Sequence, residues 1–350
     1  MTSAQRAGIA IVVLFILLIA AAGGFYYWQS HRPSTSPVFA PEVAGAPPDS
    51  MSELPPDAPV VGYMDVATLR KLQNFPLAGL TALVSSGPQA DRQYAAFVEA
   101  TGFDYTRDLD HAAVAYWPAG SWTPANVMGK DRFLAIGDGR FDEQKIKAYI
   151  LRTGKTVTRG TQSIYQSPGN PPISIEFLTS TQIMIAGGTG ATELIATTVS
   201  GGPQPRDPAM AIRLERVAGA PLFAVARTGP LPQSFYDAFQ NAPQLAELAR
   251  GVKALTLVGE PVGDTLNMTL AAECDSTKNA MTISFLLEGG RMAASMALSA
   301  PDARKQMTHQ QITFADQLIN QAKIKQEGRN VRMSLNVTPS MAGTNRSEGK

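Results

Sequence analysis

Three aspartates and a histidine crowd one short stretch, "GFDYTRDLDHAAV": Asp104, Asp108, Asp110 and His111. Clustered carboxylates are the ligands calcium prefers, and an aspartate near a histidine can orient it as a general base. The spacing serves the first role badly. The Asp-x-Asp-x-Asp-Gly order of a calcium loop is missing, and Arg107 sits inside the group. The plainer reading is a solvated turn ahead of a strand; the sharper one is a hydrolase using Asp108 and His111. The other two histidines, His31 and His309, stand apart, and no two histidines have metal-ligand spacing. Gly-x-Ser-x-Gly and His-Glu-x-x-His are both missing.

A second candidate is "AIGDGRFDEQ", where an apolar strand meets Gly137-Asp138-Gly139 and a helix follows. Many phosphate-binding loops begin this way. A dinucleotide loop needs three spaced glycines with an acidic residue further on, and a P-loop needs Gly-Lys-Ser/Thr. Neither is completed here, and Asp138 would repel a phosphate. The expectation is structural: small residues let a helix pack closely on the strand end, and Asp142 caps that helix. Met292 and Met296, with Met281 and Met307 flanking, offer thioethers that bind Cu(I). With no histidine or cysteine beside them, gap-filling in a core is the plainer role. No cofactor and no metal are expected. Lys323, Lys325, Arg329 and Arg332 make the last hairpin basic, which protects a sheet edge or meets an anionic surface. The single cysteine, Cys274, cannot form an internal disulfide and reads as a small buried apolar residue.

The elements that must position these groups alternate between strand and helix. The first series has strands at Ala58–Val66, His111–Trp117 and Asp131–Phe141. A helix over Asp91–Gly102 places Tyr94, Phe97, Val98 and Thr101 on one face. Another follows Asp142, with Ile146, Tyr149 and Ile150 on one face, and stops at Gly154. Strands near Ile164, over Ile173–Leu178 and over Gln182–Gly188 complete the series, then a short helix. From Ala220 the order repeats. "APLFAVAR" parallels "APVVGYMD", "KALTLVGEP" parallels "HAAVAYWP", and "DTLNMTLAAECDS" parallels "DRFLAIGDGRFDE". Asp275 takes the place of Asp142, and its helix runs to Gly289. Helical segments are expected around Phe235–Phe239 and Leu245–Arg250. A later one groups Ala315, Leu318, Ile319 and Ala322, and a hairpin turns at Gly328. The pattern predicts an α+β protein: two tandem, duplicated units with mainly antiparallel sheets and helices on one face. The second copy has Leu270, Ala271 and Ala272 where the first has Gly137-Asp138-Gly139, which argues against a phosphate loop in the unit.

The chain has 350 residues, 44% hydrophobic and 17% charged, with 30 Lys plus Arg against 29 Asp plus Glu. That balance speaks against nucleic acid as a partner, which requires clustered positive charge. Near the start, Gly8–Trp28 is free of charge. It is long enough to cross a bilayer core of about 30 Å at about 1.5 Å per residue. Its aromatic end, Phe25 to Trp28, suits a water–lipid interface. Ala20-Ala21-Ala22 would suit a cleavage site, but the length favours an uncleaved anchor. A Pro-rich stretch follows, which holds extended shapes and cannot bury a core. The expected organisation is an anchor over 1–30, a tether over 31–57, units over 58–202 and 203–342, and a disordered tail over 343–350.

"ELPPDAPVVGYMDVATL" and "TGFDYTRDLDHAAVAY" resemble segments of a family of bacterial membrane-anchored extracytoplasmic proteins of unknown function. In that family a proline-rich tether leads into a Leu-Pro-x-Asp-Ala turn and a first strand. A Gly-Phe-Asp turn with Arg-Asp-Leu-Asp then leads into another. The resemblance implies a periplasmic folded part behind a single-pass anchor in the cytoplasmic (inner) membrane. It carries over no catalytic residue. The expected partners are the lipid bilayer, through Gly8–Trp28, and another envelope protein. The expected role is binding or assembly in the envelope. The alternatives are an envelope hydrolase using the Asp108–His111 turn and a hydrophobic-ligand carrier.

Overall fold

The computed structural model describes residues 43, 45, 46, 48–72, 88–118, 132–168, 172–201, 206–228, 248–263, 265–299 and 319–337. The apolar run Gly8–Trp28, most of the tether, the helical segments expected at Phe235–Phe239 and Ala315–Leu318, His309, Met307 and the tail lie outside these residues. Among the described residues no helix is long and apolar enough to cross a membrane. The protein is α+β, and it divides into two compact units. One draws on Glu42–Lys71 and Ser85–Ala238, the other on Phe239–Lys350 with Met1–Pro41 and Leu72–Val84.

In the first unit, β1 (Val60–Asp65), β2 (Leu109–Trp117), β3 (Arg132–Gly139), β4 (Lys155–Arg159), β5 (Gln162–Gln166), β6 (Ile173–Phe177), β7 (Gln182–Gly187) and β8 (Leu222–Arg227) form antiparallel pairs. Their order is β8-β1-β2-β3-β7-β6-β5-β4. Side chains alternate between faces along a strand, so register decides which residues meet. One row across one face is Val225–Val61–Ala115–Leu134–Ala186–Ser174, and every member is fully buried. The next row is Phe223–Tyr63–Ala113–Ile136–Met184–Glu176, buried throughout. These rows are the core, and each fully buried Leu, Ile or Phe contributes about 1.5–3 kcal/mol. β8 opens the second series read from the sequence, yet it pairs with β1 along Met64↔Leu222 to Val60↔Ala226. The compact unit therefore runs past residue 202 to Ala238.

Helices cover both faces of this sheet, not one as the pattern suggested. In α5 (Glu143–Leu151), Lys147 Nζ lies 4.9 Å from the Tyr165 ring and 5.6 Å from the Phe177 ring. In α6 (Ala191–Gly201), Thr192 Oγ1 meets Ser174 Oγ at 3.0 Å and accepts from Gln166 Nε2 at 3.1 Å. Tyr165 and Gln166 are consecutive in a strand and point to opposite faces. The reason is that β5 and β6 present buriable residues on both sides, Ile164 on one and Tyr165, Ile175 and Phe177 on the other. α7 (Pro208–Val217) starts with Pro208 and is capped by Asp207 Oδ1, which accepts from Ala209 N at 2.7 Å.

In the second unit, β9 (Val252–Val262), β10 (Thr265–Cys274), β11 (Lys323–Glu327) and β12 (Asn330–Val337) take the order β11-β12-β10-β9. α8 (Thr277–Ser299) follows β10. Its cap is Ser276, whose Oγ accepts from Asn279 N at 3.2 Å, while Asp275 Oδ1 accepts from Asn279 Nδ2 at 2.7 Å. The helix does not stop at Gly289. It passes through Gly289-Gly290 to Ser299, at about 1 kcal/mol for each interior glycine. Buried contacts further on offset that cost, because Ala294 and Leu298 pack with Ile319. In both units a hairpin (β2–β3 or β9–β10) is followed by a helix (α5 or α8). A later strand then returns to pair with the second hairpin strand: β7 on β3, and β12 on β10.

Candidate functional site

Asp104, Asp108, Asp110 and His111 are brought close in space, but they split into two partner sets. Four helices frame them: α1 (Asp49–Ser52), α2 (Val66–Arg70), α3 (Pro88–Thr101) and the single turn α4 (Tyr105–Asp108). Asp104 caps α4. Its Oδ1 accepts from Thr106 N at 2.9 Å, Thr106 Oγ1 at 2.7 Å and Tyr94 Oη at 2.9 Å. Asp108 accepts from Asp104 N at 2.9 Å and from Arg107 Nε at 3.0 Å and Nη2 at 2.6 Å, and Arg140 Nε lies 3.6 Å away. Asp110 stands 3.5 Å from Arg70 Nη1 and 3.7 Å from Arg140 Nη1. Arg70 also donates to the carbonyls of Thr106, at 2.7 Å, and Leu109. The turn is therefore solvated only in part, with Arg107 open to water and Asp108 buried. The Asp108 side chain is only 11% exposed, and the Arg107 hydrogen bonds hold its carboxyl well down, to about 2. Arg70, Arg107 and Arg140 pair with Asp108 and Asp110, and Asp104 is taken up by its cap and Tyr94, so the cluster is an arginine-filled corner rather than a cation cradle.

His111 turns away from that corner into a row that the sequence reading missed. Register places Asp65 opposite His111, His111 opposite Asp138, and Asp138 opposite Gln182. This third row crosses β1, β2, β3 and β7 beside the two core rows. His111 Nδ1 lies 2.8 Å from Tyr63 Oη and 3.7 Å from Asp65 Oδ1. With the imidazole proton on Nε2, Tyr63 donates to Nδ1. The two rings are nearly parallel, at 15°, with centroids 6.1 Å apart. Asp65 also caps α2, accepting from Thr68 N and Thr68 Oγ1 at 2.7 Å each. Gln182 Nε2 donates to Asp138 Oδ1 at 3.1 Å and to Glu53 Oε1 at 3.4 Å.

Burial governs the electrostatics of the row. It pushes the Tyr63 phenol up to about 12, with Asp65 and Asp138 adding to the effect. It raises Asp138, opposed by the Gln182 amide and His111, and it raises Glu53, again opposed by Gln182. The row is a chain of hydrogen-bonding groups with one half-open member, His111, whose side chain is 41% exposed. Among the described residues His111 meets Tyr63 and Asp65. The arrangement suits recognition through hydrogen bonds. Among the described residues no group of three His, Cys, Asp or Glu has a metal-holding arrangement.

The glycines beside the row have a structural role, though not the expected one. A Cβ on Gly139 would stand 2.3 Å from the carbonyl oxygen of Asp108, the last residue of α4, so the close approach is made where α4 passes into β2 and not by α5. Asp142 does cap α5, accepting from Lys145 N at 3.1 Å. The basic residues divide. Lys323 and Lys325 are exposed on the edge strand β11, Lys325 faces Arg332 across the hairpin, and Arg329 sits in the turn at Gly328. Cys274 is buried with Ala280 and Val331, and burial pushes its thiol up to about 11. Met281, Met292 and Met296 are exposed rather than packed in a core.

No family model and no curated protein matches this chain. Among solved structures, crystal form III of TP0453 is similar over 84% of this chain and 95% of that one, at 13% identity and a TM-score of 0.48. Crystal form IV is similar over 84% and 94%, at 13% identity and a TM-score of 0.46.

Proposed function

We propose that this chain is a single-pass, membrane-anchored protein of the bacterial envelope, with its folded units on the periplasmic side and a binding or assembly role toward another envelope protein. The observation that favours binding over hydrolysis is the separation of Asp108 from His111. Asp108 is held by Arg107 and Arg140, and His111 by Tyr63 and Asp65. An Asp–His hydrolase needs those two groups hydrogen-bonded to each other, with a nucleophile in reach. The half-open polar row around His111 is instead a surface on which a partner can exchange hydrogen bonds. The anchor rests on the uncharged run Gly8–Trp28. The shared order of hairpin, helix and returning strand supports duplication of the two units.

Cross-linking of tagged full-length protein in living cells, with mass spectrometry of what co-purifies, tests this reading. The expected result is a reproducible envelope protein, lost when residues 58 to 342 are deleted and the anchor kept. His111→Ala should weaken that capture, and Asp108→Asn should leave it unchanged. Recovery of a lipid or a glycan fragment with no enriched protein would reject the assembly role.

A further inference from the structure

The end of the Pro-rich stretch is built into the first unit. Ser50, Met51, Leu54 and Ala58 are buried, and α1 packs against β2. The segment is pinned at both ends. Upstream, Val43 N donates to the Arg216 carbonyl at 2.8 Å, and the Val43 carbonyl accepts from Gly219 N at 2.9 Å, where α7 ends. Gly45 comes so close there that a Cβ on it would stand 2.4 Å from Gly219 Cα. Downstream, the Asp57 carboxylate accepts from Trp117 Nε1 at 3.2 Å, and the Asp57 carbonyl accepts from Arg227 Nη2 at 3.0 Å.

Between the pins a single side chain gathers the backbone. Arg206 Nη2 donates to the carbonyls of Met51 at 2.6 Å and Leu54 at 3.0 Å, and Nη1 donates to that of Pro55 at 3.3 Å. The end of a helix leaves carbonyls with no partner inside it, and the planar fork of a guanidinium can serve several at once. Among the described residues these three carbonyls are the hydrogen-bond acceptors of Arg206, so its half-buried head is satisfied only while the segment lies folded over it. The segment gains little burial elsewhere. Gly45, Ala46, Asp49, Ser52, Glu53 and Asp57 are exposed, and ordering each residue costs backbone entropy. Residues 48–57 belong to no strand ladder, and segments with few buried contacts open locally while the rest of a fold stays closed.

We propose that residues 48–57 are a releasable strap and that Arg206 is its latch. Closed, the strap fixes the point near Gly219 at which the preceding chain leaves the first unit. Open, it adds 43–57 to the chain between the uncharged run 8–28 and the fold, a further reach of up to about 50 Å at roughly 3.3–3.6 Å per residue. Opening also frees Gln182, the last member of the polar row, because Glu53 Oε1 leaves its Nε2. The proposal rests neither on the membrane anchor nor on the binding role of the His111 row.

The test uses the full chain in detergent and two matched reporters, Ser50→Cys in the strap and Ser174→Cys in β6. Both serines are buried, at 4% and 0% exposure, so a thiol at either place reacts with a maleimide only when its surroundings open. The wild-type chain measures the background from Cys274. Ser50→Cys should react many-fold faster than Ser174→Cys, because the strap opens without the sheet. Adding Arg206→Ala should raise the Ser50→Cys rate about tenfold or more, the shift expected when a hydrogen bond to a charged group is lost, and leave the Ser174→Cys rate unchanged. Arg206→Lys keeps the charge but not the fork, and should give most of the same increase. Equal rates for the two reporters in the otherwise wild-type chain would overturn the release. An Arg206→Ala effect that is missing, or that speeds both reporters alike, would overturn the latch.

Discussion

Glu176 ends the second core row, opposite Met184, and is buried with no hydrogen-bond partner on its Oε2. Burial alone raises its carboxyl above the ordinary glutamate range. Charged groups around it are few. Glu193 on α6 is paired with Arg159 of β4 at 2.8 Å, and Asp138 and Glu53 lie toward the polar row and share the Gln182 amide. An unsatisfied buried polar group costs about 1–3 kcal/mol. Glu176→Met keeps the length, removes the orphaned oxygen and continues the apolar row. It should therefore stabilise the first unit by about 1–3 kcal/mol at neutral pH, a rise of about 2–10 °C in melting temperature for a unit of this size. The sign with pH follows from linkage. A carboxyl raised in the folded state favours folding fully below its unfolded value, about 4.3 for glutamate. That contribution is lost as pH rises through the folded value. The gain of the variant over wild type should be small in acid and should grow as pH rises. Asp138 and Glu53 are also raised, so the difference between the two proteins, not the wild-type slope, isolates Glu176. Thermal unfolding followed by the fluorescence of Trp117, in β2, across that pH range is the assay. A variant less stable than wild type at neutral pH, or a gain that shrinks as pH rises, would refute the reasoning.

Three further outcomes are expected. Asp108→Asn should destabilise by only about 1 kcal/mol at neutral pH, since both guanidinium partners face solvent; because the carboxyl is depressed to about 2, the deficit should persist down to mild acid and vanish as pH falls through that value in urea melts. Gly139→Ala forces a Cβ to within 2.3 Å of the Asp108 carbonyl, and should cost about 1–3 kcal/mol in the same melts, with no such loss at the open position Gly160→Ala beyond its turn strain. Cys274 should stay unmodified by a thiol reagent in the folded chain at mildly alkaline pH and react fully once urea unfolds it, as mass spectrometry of the intact protein will report.

Local chemistry determined much of this protein. The alternation in "VVGYMD" and "LFAVAR" is enough for strands, because a period of two matches the pleat. Asp142 starts α5 because a cap acts within one turn of its own residue. The balance of charge and the uncharged run Gly8–Trp28 are likewise properties of the sequence alone. Partnership was not legible. Asp108 and His111 are three residues apart, yet the change from the α4 turn to β2 points them at different groups. Asp65, Asp138 and Gln182 are far apart in the chain and meet only because antiparallel register aligns one row across four strands. The same holds for Gly289, which reads as a helix end until the packing of Ala294 and Leu298 against Ile319 outweighs the cost of carrying the helix through it. Caps, turns and periodicity are settled by neighbours in sequence. Which polar groups face one another, and how far a helix runs, is settled by contacts whose free energy exists only once the sheet has closed.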